Sequence, residues 1–135
     1  MDTEAEAATQ ALTTIVVHQW QCDHFGHMNV RHYAAIFDDA IFVFWGRCGI
    51  SGKQAIVPVS AEIKLSFRSE AVAGTIANIR SRVSHVGTKS VKLQMEMVDA
   101  RTQDLFATCE TVEVFFNLDS RESHPIPAEI RARLT

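Results

Sequence analysis

Cysteine is scarce: the 135 residues hold only Cys22, Cys48 and Cys109, an odd number with no Cys-x-x-Cys spacing. That scatter excludes a disulfide framework and points to a reducing compartment. An excess of positive charge is missing as well. Lys and Arg number 13 against 16 Asp and Glu, so no bulk positive field exists to hold a nucleic-acid backbone or an anionic membrane, and neither is expected as a partner. No apolar run approaches the ~20 residues of a membrane span; the longest, Ala40 to Gly46, stops at Arg47. The opening Met-Asp-Thr-Glu-Ala-Glu is acidic where a targeting segment is basic, and no apolar stretch follows it. A cytoplasmic location is the expectation. Repeats, low-complexity tracts and linkers are absent, and the length excludes a second domain.

What is present suits one soluble core that needs no metal or disulfide staple, since 47% of the residues are hydrophobic. Residues 1–12, acidic and alanine-rich, read as an N-terminal arm, either frayed or a short helix, and 13–135 as the folded domain. Ile15 to Trp20, rich in β-branched and aromatic residues, reads as a first strand. A polar loop from Gln21 to Met28 follows. Asn29 then caps a helix from Val30 to about Cys48 that Gly49 and Gly52 end. Tyr33, Phe37, Ile41, Phe44 and Cys48 share one face of this helix, while Ile36, Phe42, Val43 and Trp45 fill much of the rest, a pattern that predicts a helix surrounded by other elements.

Beyond the helix the period changes to two. Ala61, Ile63, Leu65 and Phe67, then Val91, Leu93, Met95 and Met97, then Val112, Val114 and Phe116 alternate with mostly polar neighbours, Glu113 among them; each run predicts a half-buried strand. A further strand spans Thr75 to about His85. Tight connections at Val86-Gly87-Thr88 and Asp99 to Asp104 leave no room for crossover helices, so the later strands are antiparallel and about four of them are hairpin-linked. His124-Pro125-Ile126-Pro127 leads into a short helix, Ala128 to Leu134. An antiparallel sheet of about five strands curled around one long buried helix, an α+β arrangement, accommodates both patterns.

Chemistry concentrates between the first strand and the helix, in Cys22-Asp23-His24-Phe25-Gly26-His27-Met28-Asn29-Val30-Arg31-His32-Tyr33. The first helix amides, above all that of Val30, lack intrahelical acceptors and sit at the positive end of the helix dipole, where a developing oxyanion is stabilised. Asp23 lies a turn's reach away as a carboxylate able to attack a carbonyl or deprotonate a water. The plainer reading of such an aspartate is a cap or dipole partner. His27 either orients Asp23 or the water, or is a loop-packing residue; Asn29 reads as a cap, Gly26 as backbone geometry and Tyr33 as packing. Cys22-x-His24-x-x-His27 with His32 has metal-ligand spacing, but side chains in one short loop diverge and no second cluster completes a tetrahedral set, so no metal is expected.

Asp23, Gly26, His27, Asn29 and Tyr33, at these spacings, resemble the motif of the hot-dog-fold acyl-CoA thioesterases typified by 4-hydroxybenzoyl-CoA thioesterase. The resemblance runs from about Thr13 to Leu134, takes in Lys89-Ser90 after the turn at Gly87 and ends on the Pro-Ile-Pro before the last helix. It implies a hot-dog fold and hydrolysis of an acyl-CoA thioester. Asp23 would be nucleophile or general base, assisted by His27, and the Val30 N–H the oxyanion donor. Gly26, Asn29, Tyr33, Lys89 and Ser90 fall on the substrate side, with Lys89 meeting coenzyme A phosphates and Arg80 and Arg82 the next basic candidates. No cofactor is implied; coenzyme A enters as part of the substrate. A homodimer or homotetramer is implied, with sites at the subunit boundary. Two other readings stand beside it. One is a hot-dog hydratase or dehydratase, which needs a histidine and carboxylate pair on the central helix, where Asp38 and Asp39 stand without a suitably placed histidine; the other is an acyl-CoA-binding module without turnover.

Overall fold

The computed structural model describes residues 11–134, so the arm expected over 1–12 lies almost wholly outside the described residues. Leu12, its last residue, is packed into the core and donates its N–H to the Ile79 carbonyl at 2.7 Å. The chain then runs β1 (Thr13–Val16), a single 3-10 turn at Gln19–Gln21, α1 (Val30–Arg47), β2 (Ile56–Phe67), β3 (Ile76–Val86), β4 (Ser90–Asp99), β5 (Leu105–Asn117), a two-residue β6 (Glu122–Ser123) and α2 (Ala128–Leu134). The first strand is therefore shorter than its composition predicts. Val17 leaves the ladder, and its N–H and carbonyl close instead on Thr75 and Gly74.

One antiparallel sheet, in the order β1-β3-β4-β5-β2 with β6 added on β5, wraps around α1. β3, β4 and β5 form a hairpin-linked meander and the short β6 returns on the end of β5, whereas β2 pairs with β5 at the far edge, so the strand that carries Ala61 to Phe67 is not hairpin-linked to the next one. Residues 68–75 must consequently pass β5 and β4 to run from β2 to β3. This crossover passes the start of α1, where the Met28 N–H donates to the Ala71 carbonyl at 2.8 Å and His27 bridges to Val72.

The inner face of the sheet carries Ala77 and Ile79 of β3, Leu93, Met95 and Met97 of β4, and Ala107, Cys109, Thr111, Glu113 and Phe115 of β5. For β5 this inverts the face that alternation predicts. Val112, Val114 and Phe116 lie on the less buried side, whereas Glu113 is 1% exposed. Trp45 and Ser60 meet its carboxylate inside, and Phe115 follows it inward as a fully buried wall for Trp45, their rings in edge contact at 5.4 Å.

Asn29 caps α1 as its composition predicts: its Oδ1 accepts from the Arg31 N–H at 3.2 Å. Gly49, just past the other end, takes φ +96°, the left-handed conformation that glycine adopts without strain. Tyr33, Ile36, Phe37, Ala40, Ile41 and Trp45 bury one face of α1 against the sheet. The helix is not enclosed on all sides, however. Phe42 is 71% exposed, and on the neighbouring edge strand Ile63 is 47% and Phe67 46% exposed. Among the described residues no helix is long and apolar enough to cross a membrane.

Candidate active site

The loop before α1 is built by its own hydrogen bonds. The Asp23 N–H donates to the His27 carbonyl at 2.9 Å and the Gly26 N–H to the Asp23 carbonyl at 3.0 Å. Gly26 takes φ +82°, a conformation that a side chain would strain. Asp23 Oδ1 accepts from the Phe25 N–H at 2.9 Å. That Asx turn fixes the carboxylate, and Oδ2 accepts no hydrogen bond from any described residue.

Asp23 faces a cleft of about 340 Å³ together with Phe25, His27, Met28, Val30, Tyr33, Phe67, Ser69 and Glu70. Val30 is the first residue of α1, and its N–H has no acceptor among the described residues. The cleft thus brings a carboxylate and an unpaired helix N-terminal amide to one surface, with His27 beside them. His27 Nε2 lies 3.0 Å from Glu70 Oε2, so the imidazole is held by the crossover rather than by Asp23. Tyr33 is buried, packs edge-on against Phe67 at 5.2 Å, and its phenol oxygen accepts from the Ala71 N–H at 3.3 Å. Burial pushes the Tyr33 phenol up, which keeps it neutral.

Lys89 and Ser90 lie elsewhere. The Lys89 carbonyl accepts from the Phe115 N–H at 2.8 Å and its Nζ reaches Ser123 Oγ at 3.2 Å, whereas the cleft adjoins the Phe67–Ala107 pair of the same sheet. From Ala107 to Phe115 along β5 is roughly 26 Å at 3.3 Å per residue. Within one chain the structure does not bring Lys89 to Asp23. Arg80 is paired with Glu96 at 3.3 Å, and the Arg82 guanidinium binds Gln94 through its Nε at 2.8 Å. The Cys22 and histidine series does not converge. Cys22 Sγ lies 3.6 Å from the His18 carbonyl, His27 holds Glu70, and His32 meets the edge of Trp20.

Phe67, Ser69 and Glu70, which complete the cleft, carry no motif in the sequence. Only the crossing of residues 68–75 past the helix start brings them there, and that path depends on β2 joining the far edge of the sheet.

A family model described as the thioesterase-like superfamily matches residues 16–134. No curated protein matches the chain in sequence. Among solved structures, a hypothetical protein from Staphylococcus aureus in complex with CoA is similar, with a TM-score of 0.85, 22% identity and coverage of 92% of this chain and 81% of that one. A 1,4-dihydroxy-2-naphthoyl-CoA thioesterase from Synechocystis has a TM-score of 0.79 at 14% identity, covering 90% and 93%. A gentisyl-coenzyme A thioesterase has a TM-score of 0.80 at 18% identity, covering 91% and 98%. At these identities the likeness establishes the fold, a hot-dog fold of antiparallel sheet around a long helix.

Proposed function

The chain belongs to the thioesterase-like superfamily, and from that premise we propose that it hydrolyses an acyl-CoA thioester to the free acid and coenzyme A. The observation that carries this reading is the shared cleft of Asp23 and the unpaired Val30 N–H. A thioester carbonyl placed there would be polarised by that amide and the helix dipole, which act on the oxyanion as it forms. The Asp23 carboxylate, oriented through Oδ1, would then attack the carbonyl carbon or take a proton from the attacking water through Oδ2. A thiol leaving group has a pKa of about 8.5, so no strong general acid is needed. His27, fixed by Glu70, would position the water or the thioester rather than steer Asp23. Gly26 and Asn29 would set the loop and the helix start, and Tyr33 would wall the acyl side. The hydratase reading needs a histidine paired with Asp38 or Asp39; both stand farther along α1, outside the Asp23 cleft of the same copy, and among the described residues no histidine lines the pocket that holds Asp38.

The active unit we propose is a dimer. β2 is an edge strand of 12 residues with apolar side chains in the open, a condition that proteins resolve by pairing. Two copies of β2 paired antiparallel about a two-fold axis set the Ile56 end of one against the Phe67 end of the other. Lys89 of one copy then lies on the same side as Asp23 of the other, and both can serve one coenzyme A. Thiol release from a panel of acyl-CoAs, followed alongside enoyl absorbance, tests the reaction. Release of stoichiometric thiol is the expected result. Loss of enoyl absorbance without thiol would establish a hydratase, and binding without either would establish a module without turnover.

A further inference from the structure

The pocket beneath the C-terminal half of α1 has a floor that the proposed hydrolysis does not use. It measures about 550 Å³, and Ile41, Phe42, Trp45, Val57, Val59 and Leu118 give it apolar walls. At its floor is Glu113, 1% exposed and the one buried carboxylate among the described residues. Trp45 Nε1 donates to its Oε1 at 3.1 Å and Ser60 Oγ to its Oε2 at 2.7 Å. None of the ion pairs among the described residues includes Glu113, and the only other ionisable lining group, Asp38, is also acidic.

A buried carboxylate in apolar surroundings is costly unless hydrogen bonds or a counter-charge offset its desolvation. Two donors meet it here, one on each oxygen, and a carboxylate has about four lone-pair sites. Apolar walls above an acidic, acceptor-rich floor fit one ligand chemistry. We infer that the pocket takes a compact apolar group ending in a hydrogen-bond donor, a hydroxyl or an ammonium, which binds Glu113. Under the proposed two-fold pairing the pocket faces the second copy's Asp23 cleft, so the donor would sit at the far end of the acyl group; this last step rests on the proposed function. Donor selectivity itself does not. A site built around a polar floor rejects analogues lacking the matching group more strongly than an apolar pocket discriminates by size, because the floor group is left desolvated without the added bond.

The test uses three probes of similar size, p-cresol, benzylamine and 4-fluorotoluene, titrated into the ¹⁵N-labelled full chain. The readout is the Trp45 indole N–H resonance, which reports the bond to Glu113 and is distinguished from Trp20 with Trp20→Phe. Saturable shifts are expected, with p-cresol and benzylamine each binding at least about ten-fold tighter than 4-fluorotoluene, the scale of one hydrogen bond to a charged group. Comparison of the two donors separates hydroxyl from ammonium. In Glu113→Gln the benzylamine preference is expected to collapse while 4-fluorotoluene binds as before. Because the probe comparison is made on the wild-type chain, it stands even if that variant fails to fold. Equal binding of all three probes, or no saturable shift with any, would overturn the inference. Donor selectivity without acyl-CoA hydrolysis would leave the pocket assigned and remove only its link to the acyl group.

Discussion

A single residue of the cleft can be legible in type while its partner is not. His27 sits in the loop as its spacing suggests, yet its imidazole is held by Glu70, 47 positions beyond Asp23, which no local spacing announces. Lys89 is the reverse case: the sequence places it correctly beside the Gly87 turn, and only the sheet shows that it lies at the opposite end from Asp23. If it meets a nucleotide phosphate across the proposed subunit boundary, its contribution is the same in ground and transition states. Lys89→Ala should then raise KM for an acyl-CoA several-fold with kcat nearly unchanged, and the defect should shrink at high salt as the exposed contact is screened. An acyl-pantetheine thioester, which lacks the nucleotide, should be hydrolysed equally by both proteins. Equal damage to both substrates would make Lys89 structural.

At the scale of elements, periodicity predicts well where one physical force dominates. β4 buries Val91, Leu93, Met95 and Met97 as its alternation predicts, because nothing competes with their burial. In β5, apolar residues occupy both faces near the end of the strand, and hydropathy alone picks the wrong one. The indole of Trp45 and the hydroxyl of Ser60 satisfy Glu113, so an acid rather than Val112 or Val114 turns inward. That long-range choice, 68 residues from Trp45, is invisible to a window of ten. The cap of α1 is local and therefore legible in the sequence. Asn29→Ala removes the Oδ1 acceptor for the Arg31 N–H, and should lower stability by about 0.5–2 kcal/mol in chemical denaturation. It should also slow turnover, because the same turn of helix presents the Val30 N–H. An unchanged denaturation midpoint would show that the cap contributes nothing.

One long apolar helix among two-period strands identifies the fold class of the whole molecule, but it does not fix the position of β2. Nothing in its residues says that it joins β5 rather than β3, and that single choice creates the crossover that completes the cleft and leaves an apolar edge open. A second copy paired along β2 would cover Ile63 and Phe67. Ile63→Lys places a charge on that edge, and should shift the chain to monomer in sedimentation while destroying activity. A fully active monomer would contradict the dimer. The proposed hydrolysis runs through the Asp23 carboxylate. Thiol release from an acyl-CoA that the wild-type chain turns over, measured beside Asp23→Asn, tests it most directly. The amide keeps the shape and removes the charge, so kcat should fall by at least about 100-fold with KM little changed. Near-normal turnover by a folded Asp23→Asn chain would contradict it.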